Sequence, residues 1–365
     1  MSNSILLNKI PTTVVTGFLG SGKTTLLANL LKKAKGKRIA VIMNEFGELD
    51  IDSELLRSCP FEEGECEDDA GQLVGAGDGI YELANGCICC TVEEEFLPVM
   101  KKLVERRDQI DHILIETSGL ALPKPLVQAF NWPGIKEFCT VDAVITVVDG
   151  PAIAAGRFAD DEDKVKSQRA ADESLDHDPS LQELLDDQLN SADLVVVSKS
   201  DLLNEADVNK VKAVIEKRLP STVKTAYVNH GNVPLEVLIG INAESEKAID
   251  AVHNHHDHHH AHAAHHDHAH DHFDSMVIRI GTVDAAKLKQ SVEQLLNDFN
   301  IFRIKGFAAV ENKPMRQVLQ AVGKRLETHF DRLWASDETP KTELVLIGKG
   351  LDEATVTAIL KSAEV

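Results

Sequence analysis

Along the first 240 residues, short apolar and β-branched runs alternate with longer stretches in which apolar positions recur every three or four residues. A short run with no polar interruption suits a central parallel strand, because both of its faces are covered. This pattern predicts strands at Thr12–Thr16, Arg38–Met43, Gly79–Leu83, Ile113–Glu116, Ala143–Val148, Leu194–Ser198 and Thr225–Val228. Helical periodicity predicts helices at Lys23–Lys33, Glu93–Arg106, Leu181–Asn190 and Ala206–Leu219. Strands and helices in alternation imply an α/β domain over residues 1–240, built on a doubly wound, mostly parallel sheet. Residues 59–79 carry acids and glycines without periodicity and read as an insertion. Residues 241–274 turn polar and His-laden, which marks a flexible linker. Over 275–365, the run MVIRI, helices near Ala285–Phe299 and Glu353–Ser362, and strands near Ile304–Val310, Gln317–Val322 and Glu343–Ile347 predict a small α+β domain.

Composition narrows what such a molecule does. Of 365 residues, 43% are apolar and 27% charged, enough apolar material for a large core. The 38 Lys and Arg against 59 Asp and Glu leave a formal charge of −21, which repels polyphosphate and argues against general nucleic-acid binding. A cation or a basic partner suits that field. No stretch reaches the roughly 20 apolar residues a membrane span needs, and the first residues lack a cleavable signal pattern, so a cytoplasmic protein is expected. Six Cys are too few for a disulfide scaffold in a chain of this length.

The first chemical motif is Gly17-Phe18-Leu19-Gly20-Ser21-Gly22-Lys23-Thr24, lying directly between a predicted strand and a predicted helix. That spacing and context define a phosphate-binding loop. Its glycines let backbone N–H groups converge on phosphate oxygens at a helix N-terminus, Lys23 reaches the β- and γ-phosphates, and the Thr24 hydroxyl binds Mg²⁺. Further along, Ser198-Lys199-Ser200-Asp201 follows the strand LVVVS. The Asp201 carboxylate accepts two hydrogen bonds from guanine that adenine does not offer, so GTP is the expected nucleotide, with the Lys199 stem along the base. Glu116 ends an apolar strand at the edge where open α/β sheets bind ligands, and is expected to hold the Mg²⁺ shell or position the attacking water. Asn44-Glu45-Phe46-Gly47-Glu48, at the end of the second strand, is placed to be a switch segment.

Soft ligands form a second set. Cys87, Cys89 and Cys90 precede a predicted helix, where thiolates are stabilised. Sulfur donors in a near-tetrahedral array suit Zn²⁺ or Co²⁺. Glu45 is a candidate to complete a shell left open enough for metal transfer. Buried small hydrophobes or a thiol–disulfide couple are the alternatives. Cys59 and Cys66 lie in the insertion as accessory ligands or as residues without a role, and Cys139 reads as a packed core thiol. Between His253 and His272 stand 12 of the 16 His, among them His255, His256, His258, His259 and His260. Such a tract captures or stores divalent cations without fixed stoichiometry, or is simply a solvated linker.

With a P-loop, ANGCICCT, ETSGL and SKSD in that order, the chain resembles the CobW family of P-loop GTPases that act as metallochaperones. The resemblance spans nearly the whole chain and carries the P-loop onto Gly17 through Thr25, base recognition onto Lys199 and Asp201, and metal binding onto Cys87, Cys89 and Cys90. Ser198 departs from the Asn usual at the start of the base motif. Within the family, the stretches TVVTGFLGSGKTTLL and ETSGLALPKPLVQAFNWP resemble the cobalamin-biosynthesis branch. The resemblance implies a GTPase using Mg²⁺ that delivers Co²⁺ for corrin synthesis with a cobaltochelatase as client, and slow turnover without a partner is expected because no Gln or Arg finger is identifiable by motif. Zinc delivery and passive metal storage on the His tract are the alternatives, and the oligomeric state is left open.

Overall fold

In a computed structural model, residues 9–34, 36–44, 80–83, 96–159, 180–240, 273–335 and 338–365 are described. The chain divides into two compact units, residues 1–220 with 225–260, and residues 221–224 with 261–365.

The first unit is a seven-stranded sheet. Its strands are β1 (Ile10–Thr16), β2 (Ile39–Asn44), β3 (Ile80–Leu83), β4 (His112–Glu116), β5 (Cys139–Asp149), β6 (Leu194–Ser198) and β7 (Lys224–Tyr227). Their order is β3-β2-β4-β1-β5-β6-β7, and the pairings from β3 through β6 are all parallel. The helices are α1 (Lys23–Lys33), α2 (Leu97–Glu105), α3 (Pro123–Ala129), α4 (Gly150–Ala154), α5 (Leu181–Asn190), α6 (Glu205–Glu216) and α7 (Leu235–Leu238). Two strands are buried throughout, as their unbroken apolar runs require: all five residues of β4 and all five of β6 are covered. On one side, Phe96, Met100 and Leu103 close over Ile42, Ile113 and Phe130.

Three short helices, α3, α4 and α7, escaped the periodicity. Helices α3 and α4 are only seven and five residues long and each opens on a proline near its first position, where the missing N–H costs nothing. Strand β5 runs from Cys139 to Asp149, well beyond the expected Ala143–Val148, because Thr140 and Asp142 sit inside it as buried or half-buried polar residues.

The second unit is an antiparallel sheet, β8 (Asp274–Ile280), β9 (Asn300–Ala308), β10 (Met315–Val322), β11 (Arg325–Leu333) and β12 (Thr342–Lys349), in the order β11-β10-β9-β12-β8. Helices α8 (Ala285–Asp298) and α9 (Glu353–Lys361) pack Leu288, Leu295, Val356 and Leu360 on Ile278, Ile304 and Leu346. Asp284 and Asp352 cap the two helices through backbone N–H groups at Lys287 and Thr355, both 2.8 Å. The sequence pattern did not expose β11, whose RLETHFDRL is dominated by charged residues, as an edge strand can be.

Candidate functional site

Chemistry-bearing residues collect at the C-terminal ends of β1, β4, β5 and β6, because parallel strands deliver all their following loops to one edge. After β1 the chain wraps through Gly17, Gly20 and Gly22, at φ 135°, 74° and 95°, into α1. At Gly17 the need is steric as well as conformational, since a Cβ would stand 2.1 Å from the Val147 carbonyl oxygen on β5. Gly22 is the N-cap of α1, with no side-chain cap and no acid in the first turn. The N–H groups there are thus left to an anion, with the helix dipole favouring negative charge.

Lys23 is buried, and its ammonium donates to the Gly17 and Phe18 carbonyls at 2.8 and 3.1 Å, folding back over the loop it follows. The Thr24 hydroxyl donates to Glu116 Oε1 at 3.1 Å, so the first turn of α1 and the end of β4 meet. A hydroxyl and a carboxylate are hard oxygen donors, the chemistry Mg²⁺ requires, and the pair fits that ion. The Ser21 hydroxyl, in the same turn, is buried and has no hydrogen-bond partner among the described residues. The segment after β4 is pressed on the loop: a Cβ at Gly119 would stand 2.5 Å from the Leu19 nitrogen. Gln188 of α5 holds it there, donating to the Gly119 and Ala121 carbonyls at 3.4 and 3.3 Å.

At the other end of the edge, Lys199 adopts φ 55° and its ammonium reaches Asp149 Oδ2 at 2.5 Å. Asp149 closes β5 and its side chain is 1% exposed, while its other oxygen accepts from the Ala152 N–H at 2.9 Å and caps α4. Ser198, which stands where Asn is usual in the base motif, donates to the Val148 carbonyl at 3.2 Å and lies against Gly22. Asp201 is exposed in a short turn, Ser200–Leu202. The Ser200 hydroxyl donates to Asn229 Oδ1 at 2.5 Å, and Asn29 of α1 donates to the His230 carbonyl at 2.5 Å. The loop at 229–231 therefore ties the base motif to the P-loop helix.

Lys23, Thr24, Glu116, Lys199 and Asp201 thus all lie along one sheet edge, with Gly17, Gly20, Ser21, Gly22 and Thr25 in or next to the loop. Sequence reasoning missed Asp149, Asn229 and His230. A buried acid ending an apolar strand, VVDG, was the available signal for the first, whereas VNHG carries no spacing that marks it. Glu45, Cys59, Cys66, Cys87, Cys89, Cys90 and the His tract with His255, His256, His258, His259 and His260 lie outside the described residues. Cys139 is 1% exposed, and burial pushes its thiol up to about 12, which suits a packed core thiol. Among the described residues no group of three or more His, Cys, Asp or Glu is arranged to hold a metal, and no helix is long and apolar enough to cross a membrane.

Residues 11–225 match the family model for the CobW/HypB/UreG nucleotide-binding domain, and residues 273–364 match that for the cobalamin synthesis protein cobW C-terminal domain. Over 357 residues, 98% of this chain and 92% of the relative, the sequence is 52% identical to the zinc chaperone CobW of Pseudomonas aeruginosa. It is 45% identical to the zinc chaperone CobW of Sinorhizobium sp over 96% of each chain. The zinc chaperone YjiA of Escherichia coli is 30% identical, over 96% of this chain and 98% of that one.

Proposed function

Since this chain belongs to the CobW/HypB/UreG family of P-loop GTPases, we propose that it is a GTP-gated carrier of a divalent metal, whose cargo is held by Cys87, Cys89 and Cys90. The observation that carries this reading is the meeting of Lys23, the Thr24–Glu116 pair and the Lys199–Asp149 pair along one sheet edge, in a chain that also bears three thiols within four residues.

In this reading the loop N–H groups and the Lys23 ammonium hold the phosphates, so Lys23 exchanges the Gly17 and Phe18 carbonyls for phosphate oxygens when GTP arrives. Thr24 and Glu116 hold Mg²⁺, which when bound neutralises phosphate charge. Asp201 reads guanine, and Lys199, braced on Asp149, lies along the base. Turnover is slow without a partner, because no Gln or Arg in an identifiable motif supplies transition-state charge. Glu45, next in sequence after β2, couples the γ-phosphate to the thiolates in this reading. That coupling is reciprocal: whatever factor GTP adds to metal affinity, the metal adds to GTP affinity.

Zinc is the favoured cargo. Thiolates suit it, and two relatives at 52% and 45% identity bear the name zinc chaperone. Cobalt for corrin synthesis, with a cobaltochelatase as client, is the second reading, favoured by the stretches that resemble the cobalamin branch. The same donors serve both ions, so chemistry alone does not choose.

The test is a competition titration of Zn²⁺ and Co²⁺ against protein lacking residues 253–272, with Mg²⁺ and a GTP analogue, with GDP, or without nucleotide. The expected result is one tight site, strengthened at least tenfold by the GTP analogue and abolished by Cys87→Ser with Cys89→Ser. Equal affinity in all three nucleotide states would overturn the gating. Loss of most bound metal with the tract would favour storage on the histidines. A deletion strain that fails only under zinc starvation supports zinc, and one impaired only in cobalamin synthesis supports cobalt.

A further inference from the structure

The outer edge of the C-terminal sheet is unusual in its charge order. Among the described residues no strand pairs with the outer side of β11, and Glu327 through Asp331 are exposed, with Phe330 39% exposed. An edge of nine residues is an open template for another strand. Five of the nine are charged or titratable: Arg325, Glu327, His329, Asp331 and Arg332. Charges on an edge ordinarily discourage pairing, so their order decides what this edge admits.

The geometry of the hairpin says which main-chain groups are available. Val322 pairs with Arg325 across the two-residue loop Gly323-Lys324, where Gly323 takes the positive φ of 57° that the first position of such a loop needs. The flanking pair of a two-residue hairpin is hydrogen-bonded, and bonded and non-bonded positions alternate along an antiparallel pair. Arg325, Glu327 and His329 therefore turn their N–H and C=O groups toward β10. Leu326, Thr328 and Phe330 turn theirs outward.

Only a few antiparallel registers let those outward residues bond to the same residues of a second copy. Centred on Thr328, the pairing sets Leu326 against Phe330, Glu327 against His329 and Arg325 against Asp331, each pair occurring twice. Glu327 then faces the imidazole of His329, and Arg325 lies across from Asp331, the bulged residue next to the last regular pair with β10. Shifting the partner by two residues in one direction puts Glu327 opposite itself, and in the other puts Glu327 opposite Asp331. Like charges directly opposed are destabilising, and opposed signs and apolar pairs are favourable. Within each chain Arg325 bonds Glu327 at 3.0 Å and Asp331 pairs with Arg316, itself stacked on the Phe307 ring at 3.7 Å, so pairing across the edge shares these side chains with the partner.

We propose that β11 is a self-recognition edge, at which two copies of this chain join antiparallel about Thr328 into a ten-stranded sheet with an isologous interface. The register is chosen by charge, so the same residues that deter foreign strands admit a second copy. At about 0.15 M salt the Debye length is about 8 Å, which screens the repulsion between two chains of like net charge more than the direct pairs across the edge.

Sedimentation velocity of the full chain over a micromolar concentration series, with far-UV circular dichroism as the check on folding, tests this. The wild type is expected to dimerise, and Thr328→Pro, which removes an outward N–H while sparing the bonds to β10, is expected to be monomeric. Arg325→Glu and Asp331→Arg should each dissociate the dimer at least tenfold, since each makes two like-charge pairs. Mixed, the two variants should form a heterodimer, because each altered residue then meets its opposite. A wild type that stays monomeric throughout the series, or a dimer unmoved by Thr328→Pro and both reversals, would overturn the proposal. So would two monomeric variants, both folded, that fail to rescue one another.

Discussion

At single residues, two buried polar groups make sharp demands. Asp149 supports Lys199 and caps α4 with separate oxygens, so its replacements divide the roles. Asp149→Asn keeps a capping oxygen but loses the charge pair, and is expected to weaken GTP binding about tenfold, of the order of 1.4 kcal/mol. Asp149→Ala should add about 1 kcal/mol of destabilisation from the lost cap. Calorimetric titration of GTP, with urea unfolding alongside, separates the effects, and Asp149→Asn added to Lys199→Ala should cost little more.

His112 is the other. It is 3% exposed, its Nε2 stands 2.9 Å from the Thr13 hydroxyl, and burial holds its pKa down to about 4 from 6.5 despite the Asp142 carboxylate, which acts the other way. A folded-state pKa below the unfolded value means that the unfolded chain binds the proton first. The neutral imidazole's contribution is whole above pH 6.5 and is lost as pH falls toward 4, about 3 kcal/mol across the window. His112→Gln should flatten the fall in stability between pH 6.5 and 4, measured by urea unfolding at several pH values. An unchanged slope would contradict this.

Among elements, the loop between β1 and α1 works only if it lies flat against β5. Gly17→Ala is expected to abolish GTP binding and lower the melting temperature, because its Cβ meets the rigid Val147 carbonyl rather than a side chain able to turn aside. Fluorescent GTP-analogue binding and a thermal melt together check this. In the other sheet, Leu295 of α8 is fully buried against β9 and β12. Leu295→Ala should destabilise the C-terminal unit by about 3 kcal/mol through the cavity left behind. The chemistry at the first sheet's edge should be unaffected, with GTP affinity unchanged as the readout.

For the whole molecule, each unit carries a hydrophobic core of its own. A ligand stabilises only what binds it, by about 2.7 kcal/mol at a hundredfold excess over Kd. GTP analogue with Mg²⁺ should therefore raise the unfolding transition of the nucleotide unit and leave that of residues 273–365 in place, as hydrogen exchange would report. The net charge of −21 bears on cargo rather than on fold, since it raises the local concentration of cations near the thiols and histidines.

Much of this was legible in the chain itself. Unbroken runs such as ILIE and LVVVS identify parallel strands because burial on both faces leaves no room for polar alternation, and G-x-x-x-x-G-K-T identifies its loop because backbone geometry, Lys and Thr are all required within eight residues. Family membership follows from the same local motifs. Tertiary structure alone decided the pairing of Lys199 with Asp149 and of Ser200 with Asn229, since those partners lie 50 and 29 residues apart and meet only where adjacent strands end. It likewise decided that RLETHFDRL is a strand at all: its charged residues suppress the apolar signal, and only the hairpin with β10 reveals which of its groups face outward. Periodicity records what a segment buries within itself, whereas a contact between distant loops or at a sheet edge is written in the topology that brings them together.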